Sequence, residues 1–152
     1  MLDRRARILV VDNSERTLTH SLKAALMGHE VEIARDAFDA IYQIDCAGRP
    51  HDVIFCDLAR NDLPGPELWA YLSLGRAGAA QRMVFVASKP LGSETHAFLD
   101  RIPNPCVVLP ADPEALDALV TRRVACGGPG LARFRLGQGG RRSAAGAGEA
   151  DT

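Results

Sequence analysis

No stretch of this sequence is long and apolar enough to cross a bilayer: runs such as Met83 to Ala87 fall far short of the roughly 18 residues a spanning helix needs. Nor is a leader expected, because Met1-Leu2-Asp3-Arg4-Arg5 opens onto only a short apolar segment. Membrane insertion is therefore not expected, and a cytoplasmic location is. Paired cysteines are missing too. Cys46, Cys56, Cys106 and Cys126 lie far apart, with no C-x-x-C pair and no histidine at ligand spacing, which argues against a zinc site and a disulfide framework. All four are expected as small buried apolar residues. His20, His29, His51 and His96 are equally scattered, no catalytic set is assembled, and the chain is not expected to be an enzyme. A charge excess is absent as well: the formal net charge of −1 gives no global attraction to polyanions, so any nucleotide-binding signal must be local.

What is present is one core's worth of chain. The 152 residues, 47% of them hydrophobic and 24% charged, suit a single globular domain. Up to about residue 126, short β-rich runs alternate with helical patterns, five pairs in all, as βαβ units around a parallel sheet require. Arg7-Ile8-Leu9-Val10-Val11 predicts a central strand ending at Asp12, followed by a helix capped by Asn13 or Ser14, with Leu18, Leu22, Ala25 and Leu26 on one stripe and Gly28 at its end. His29 to Ala34 predicts the second strand, and Asp36 caps a helix expected to turn Phe38, Ile41 and Ile44 inward.

The run Asp52-Val53-Ile54-Phe55-Cys56 predicts a third strand that delivers Asp57 at its carboxyl end. A loop with Leu63-Pro64-Gly65-Pro66 leads to a helix bearing Leu68, Trp69, Tyr71 and Leu72, then to the strand Met83 to Val86. A short helix around Glu94 to Leu99 precedes the fifth strand, Cys106 to Leu109. Asp112, Pro113 and Glu114 open the last helix, with Leu116, Leu119 and Val120 inward. Right-handed crossovers make this an α/β, doubly wound five-stranded parallel sheet of order 2-1-3-4-5. The domain is expected over residues 5–126.

From Gly127 the composition changes. Residues 127–152 hold eight of the fourteen glycines and no periodic apolar pattern, so this tail is expected to be disordered without a ligand. Arg133, Arg135, Arg141 and Arg142 fall between Leu131 and Ser143 without an acid among them. Against them, Glu149 and Asp151 leave the tail at +2.

In an open α/β sheet, ligands sit beyond the carboxyl ends of the strands where the strand order reverses, and Asp12 and Asp57 both arrive there. Two carboxylates on adjacent strands make a hard-oxygen site suited to Mg²⁺, and a carboxylate can act as nucleophile towards a phosphoryl group. The alternative is that both aspartates merely cap the helices that follow. Residues 7 to 125 resemble bacterial response-regulator receivers, the CheY-like domains, in three places: Ile8-Leu9-Val10-Val11-Asp12-Asn13; Asp52-Val53-Ile54-Phe55-Cys56-Asp57-Leu58 with Pro64 and Gly65; and Val107-Val108-Leu109-Pro110 with Asp112-Pro113-Glu114. The resemblance implies that Asp57 is the phospho-acceptor, and that Asp12, Asp57, Asn13 and the carbonyl of Ala59 form a weak Mg²⁺ site.

The departures from that pattern are chemical. Leu109 stands where the receivers carry the lysine that contacts the acyl phosphate, Ala87 where they carry a switch hydroxyl, Cys106 where they carry a switch aromatic, and Asn13 where they carry a second acid. Leucine cannot neutralise phosphoryl oxygens, so switching by phosphorylation is not expected. The tail offers another input. An arginine fork pairs with phosphate and with the O6/N7 edge of guanine, and its plane stacks on a base.

Arg133-Phe134-Arg135 and Arg141-Arg142 are similar to the arginine-rich extension of CheY-like cyclic-di-GMP effectors, the Cle group. That resemblance implies cyclic-di-GMP as ligand and the flagellar motor switch protein as partner. Three other readings are a solvated terminus without ligand, a stand-alone response regulator phosphorylated at Asp57, and a nucleic-acid binder using the same arginines through phosphate contacts.

Overall fold

In the computed structural model, which describes residues 5–13, 16–58, 63–88, 90–126 and 135–136, the strands read from the sequence lie side by side in one parallel sheet. β1 (Arg7–Val11), β3 (Val53–Asp57) and β4 (Met83–Ala87) are buried along nearly their whole length, because helices cover both faces. β2 (Glu30–Ala34) alternates exposed and half-buried residues, as suits an outer position. β5 (Cys106–Val108) is short. Beyond it lies a sixth strand, β6 (Arg135–Leu136), giving the order β2-β1-β3-β4-β5-β6.

The first five strands follow the expected order. The sixth is an addition, and it lies inside the segment expected to be disordered: Arg135 is opposite Cys106 and Leu136 opposite Val107. Such a strand answers the open backbone edge of β5 and needs no side-chain periodicity. The sequence pattern therefore carries no sign of it.

The helices are α1 (Thr17–Ser21), α2 (Lys23–Leu26), α3 (Ala37–Cys46), α4 (Gly65–Gly75), α5 (Ala77–Gln81), α6 (Ser93–Asp100) and α7 (Pro113–Cys126). The single first helix expected from the sequence is divided at Leu22, whose φ and ψ are −101° and 10°. Its apolar stripe survives: Leu18, Leu22, Ala25 and Leu26 are all buried. Gly28 then turns the chain at φ 85°, a left-handed conformation in which a β-carbon is unfavourable.

The sheet carries one apolar layer on each face. Ile8, Val10, Phe55, Val84, Val86 and Val107 pack with α1, α2 and α7 on one side. Leu9, Val11, Ile54, Cys56, Phe85 and Cys106 pack with α3, α4 and α6 on the other. Within that second layer, Phe98 of α6 meets Trp69 of α4 and Phe85 of β4 edge to face, at ring distances of 5.7 and 5.6 Å. Asn104 is buried but fully used: it accepts from the Trp69 indole N–H at 3.2 Å and donates to the carbonyls of Ala80 and Met83 at 2.8 and 2.9 Å.

Two expectations about individual residues need correction. Phe38 does not face the core; Ala37 and Ala40 are buried and Ile41 and Ile44 pack beneath them, leaving Phe38 exposed on the flank of α3. Positions 37, 40, 41 and 44 recur at i, i+3, i+4 and i+7 and form the inward stripe of α3, and position 38 lies off it. Cys46 is exposed rather than buried, whereas Cys56 and Cys106 are buried as expected; the Cys126 side chain lies outside the described residues. Among the described residues, no helix is long and apolar enough to cross a membrane.

Candidate functional site at the carboxyl end of the sheet

Val11 pairs with Cys56, so Asp12 and Asp57 follow at the same level on adjacent strands. Strand alternation turns them to the face shared with α1 and α7, the face that also receives Leu109 just after β5. The sheet thus brings Asp12, Asp57 and Leu109 to one site at its carboxyl end. Its chemistry differs from what the residue types alone suggest.

Asp12 is 2% exposed and its carboxylate is occupied by donors from its own chain. Its Oδ1 accepts from the Asn13 N–H at 2.8 Å and the Leu18 N–H at 3.0 Å. Its Oδ2 accepts from the Thr19 N–H at 2.7 Å and from the Thr19 hydroxyl. Asn13 is engaged in the same way, its Oδ1 accepting from the Thr17 N–H at 3.3 Å. Both residues therefore hold the first turn of α1, whose chain enters through Arg16 in the left-handed region at φ 58°. Thr19 is the partner that sequence reading missed; a hydroxyl seven residues after a strand-end aspartate is the signal that marks it.

This donor set is a poor match for Mg²⁺. Magnesium demands near-octahedral oxygen ligands, yet the Asp12 oxygens point at N–H and O–H hydrogens and the Asn13 carboxamide faces a backbone amide. Among the described residues no three His, Cys, Asp or Glu side chains come together as a metal group. The arrangement fits a helix cap and does not fit Mg²⁺. Ala59, the carbonyl ligand implied by the resemblance, lies outside the described residues.

Asp57 is the last residue of β3, half-buried, with Val86 opposite it. The chain around it is tightly packed. A β-carbon on Gly65, at the start of α4, would come within 3.0 Å of the Asp57 carbonyl and 3.2 Å of the Phe85 ring, so glycine is what lets α4 begin against β3. Ala87, Cys106 and Leu109, three of the four departures, lie at the end of β4, on β5 and just after β5. Ala87 ends β4, buried, on the face of α3, α4 and α6, while Ser88 beside it is exposed. Cys106 is buried in that same layer, where the edge-to-face rings of Phe85, Phe98 and Trp69 already supply the aromatic volume. Leu109 is half-buried and packs against the α1 and α7 layer, an apolar role in place of a cation.

The candidate ligand residues of the tail are placed only in part. Arg135 lies in β6, hydrogen-bonded as backbone to the edge of β5; Arg133, Phe134, Arg141 and Arg142 lie outside the described residues.

No family model matches the chain, and no curated protein matches it in sequence. Solved structures do. The chain is similar to a response regulator receiver domain (CheY-like) from Methanospirillum hungatei JF-1, at 22% identity and TM-score 0.63, over 82% of this chain and 100% of that one. It is similar to the chemotaxis response regulator CheY4 of Vibrio cholerae, at 22% identity and TM-score 0.63, over 79% and 99%. A response regulator receiver protein from Pseudomonas putida gives 20% identity and TM-score 0.64, over 80% and 99%. The fold is that of the receivers, and whole receivers align within about four fifths of this chain.

Proposed function

We propose that this chain is a CheY-like signalling protein, not an enzyme, whose input is cyclic-di-GMP bound by Arg133, Phe134, Arg135, Arg141 and Arg142, and whose output is docking on another protein, with the flagellar motor switch protein as the partner the family resemblance implies. The observation that carries this reading is the state of the pocket: a receiver fold in which the Asp12 carboxylate is spent on capping α1 and the cation position is Leu109. A phosphoryl group on Asp57 would meet neither the metal nor the cation that usually converts it into a signal. Signalling input must then come from elsewhere, and four guanidinium forks within ten residues are the other concentration of ligand chemistry in the chain. β6 supports a link between the two, because it joins Arg135 by its backbone to β5.

Calorimetric titration tests the proposal. The full chain should bind cyclic-di-GMP, a chain ending at Cys126 should not, and a peptide of residues 127–143 should retain most of the affinity. Charge-assisted bonds contribute about 1.5–3 kcal/mol each, so replacing any one of the four arginines by alanine should weaken binding about tenfold or more. Cyclic-di-AMP should bind far more weakly, since adenine lacks the O6 acceptor. Equal binding of the two dinucleotides would reduce the tail to a phosphate-attracting patch of the nucleic-acid kind. No binding at all, with phosphorylation of Asp57 by an acyl-phosphate donor, would favour the stand-alone response regulator instead.

A further inference from the structure

A cleft opens at the amino end of the sheet, opposite the end that carries Asp12 and Asp57. The loop from α3 to β3 forms one wall, α5 and the residues on either side of it form the other, and β3 contributes Ile54. It encloses about 360 Å³, within the range of small-molecule sites. Its lining divides by chemistry. Ile44, Ala47, Pro50, Ile54 and Ala79 supply apolar surface, and three arginines, Arg49, Arg76 and Arg82, stand with them.

The arginines are held differently. Arg76 gives two hydrogen bonds to Asp45, at 2.6 and 2.8 Å, so that pair fixes a wall and adds no net charge. Arg49 meets Glu30 only at 3.5 Å and its side chain is 61% exposed, while its carbonyl accepts from the Arg7 guanidinium, which anchors the loop. Arg82 reaches back over α5, its Nη1 3.6 Å from where a β-carbon on Gly78 would stand. Asp45 is the one carboxylate in the lining; Glu30, Glu32 and Asp52 lie outside it and are engaged by Arg49, Arg7 and His51. Two glycines keep the cleft open. Gly48 and Gly78 both line it, neither has a positive φ, and a β-carbon would meet nothing within 4 Å at Gly48 and only Arg82 at Gly78. The backbone has no need of glycine at either place, and inside α5 glycine is a weaker helix former than alanine. What the missing side chains preserve is space in the cleft.

We infer that this cleft binds a small phosphate ester with a flat body, of the nucleoside monophosphate kind. A guanidinium fork pairs its N–H donors with phosphate oxygens, and its plane stacks on a ring. A phosphate held by Arg49 and Arg82 leaves Arg76 on Asp45, and the body of the ligand covers Ile44, Ala47 and Ala79. A cation meets a surplus of arginine here, and a wholly apolar ligand strips water from guanidinium groups without replacing it. The volume lies at the lower end of the small-molecule range, so it suits one base and one phosphate better than the two of each in a cyclic dinucleotide. The site is therefore separate from the one proposed for the tail and does not depend on it.

Amide NMR titration of the full chain with adenosine monophosphate tests the assignment, because Gly48 and Gly78 report from the cleft itself. Both resonances should shift and saturate with a dissociation constant below about 1 mM. Inorganic phosphate should act at the same place at least about tenfold more weakly, and adenosine should leave both resonances where they are. Arg49→Ala or Arg82→Ala should each weaken the nucleotide about tenfold or more. Gly78→Leu should abolish binding by filling the cleft while the melting temperature holds or rises, since leucine is the better helix former; a blocked site is thereby told from an unfolded chain. Lys23→Ala, at an exposed cation on α2 across the sheet, should change nothing. No saturable shift at Gly48 and Gly78, or a Gly48 shift that persists in Gly78→Leu, overturns the inference. So does adenosine or inorganic phosphate binding as tightly as the nucleotide.

Discussion

Asp12 shows how one side chain can satisfy two opposite readings of the same sequence. Its place at the end of β1, level with Asp57 on β3, suits a cation site, whereas its hydrogen bonds belong to a helix start. Two amide donors of the first helical turn are left without acceptors if the carboxylate is removed, each costing about 1–3 kcal/mol when buried. Asp12→Ala should therefore lower the unfolding free energy by about 2 kcal/mol or more in urea titrations, by the same amount with and without millimolar Mg²⁺. A loss seen only when Mg²⁺ is present would make the residue a metal ligand after all.

At the scale of elements, the joints matter more than the elements themselves. α4, α5 and β4 meet at Asn104, a buried polar residue whose partners Trp69, Ala80 and Met83 each lie on a different element. Replacing it by alanine takes a donor from each of the Ala80 and Met83 carbonyls and the acceptor from the Trp69 N–H. Asn104→Ala should cost about 2–4 kcal/mol of stability by urea or thermal unfolding, well beyond its loss of volume. Asn104→Asp keeps an acceptor for Trp69 but loses the donors and should be no less damaging. The division of the first helix at Leu22 and the appearance of β6 belong to this scale too, since both are settled by what lies alongside the segment.

The molecule as a whole has an ion-paired network towards the amino end of the sheet, opposite the candidate site. Glu32 shares a hydrogen bond with buried His51 at 2.7 Å and accepts from Arg7 at 3.1 Å. Its carboxyl is held below the usual value, first by the His51 hydrogen bond and then by the charge of Arg7, against the opposing effect of burial. A carboxyl depressed in the folded state stabilises above its unfolded value of about 4.3, and that contribution disappears as pH falls through the lower folded value. Because Glu32 is about half exposed, the contribution is at most about 1 kcal/mol. Stability measured from pH 7 down to pH 3 should fall less steeply in Glu32→Gln than in the parent chain, with the two curves converging at the acid end.

Apolar runs buried on both faces, capping residues such as Asp36 and glycines at element ends act over a few residues, so five parallel strands, their order and the strand-end positions of Asp12 and Asp57 are legible in the sequence alone. That Leu109, Ala87 and Cys106 differ from the residues of the pattern the chain resembles is likewise a matter of composition. What the Asp12 carboxylate binds was not legible: carboxylates suit a cation and a helix terminus equally, and only the folded path through Arg16 aims the amides of Leu18 and Thr19 at it. The outward turn of Phe38 followed the same rule. Helical periodicity allows a stripe through 38, 41 and 44 or through 37, 40, 41 and 44, and only the side of α3 that meets the sheet decides between them. Local chemistry determined the elements and their ends; the distances between elements, which depend on every neighbour at once, decided the partner of each polar group and the face left open.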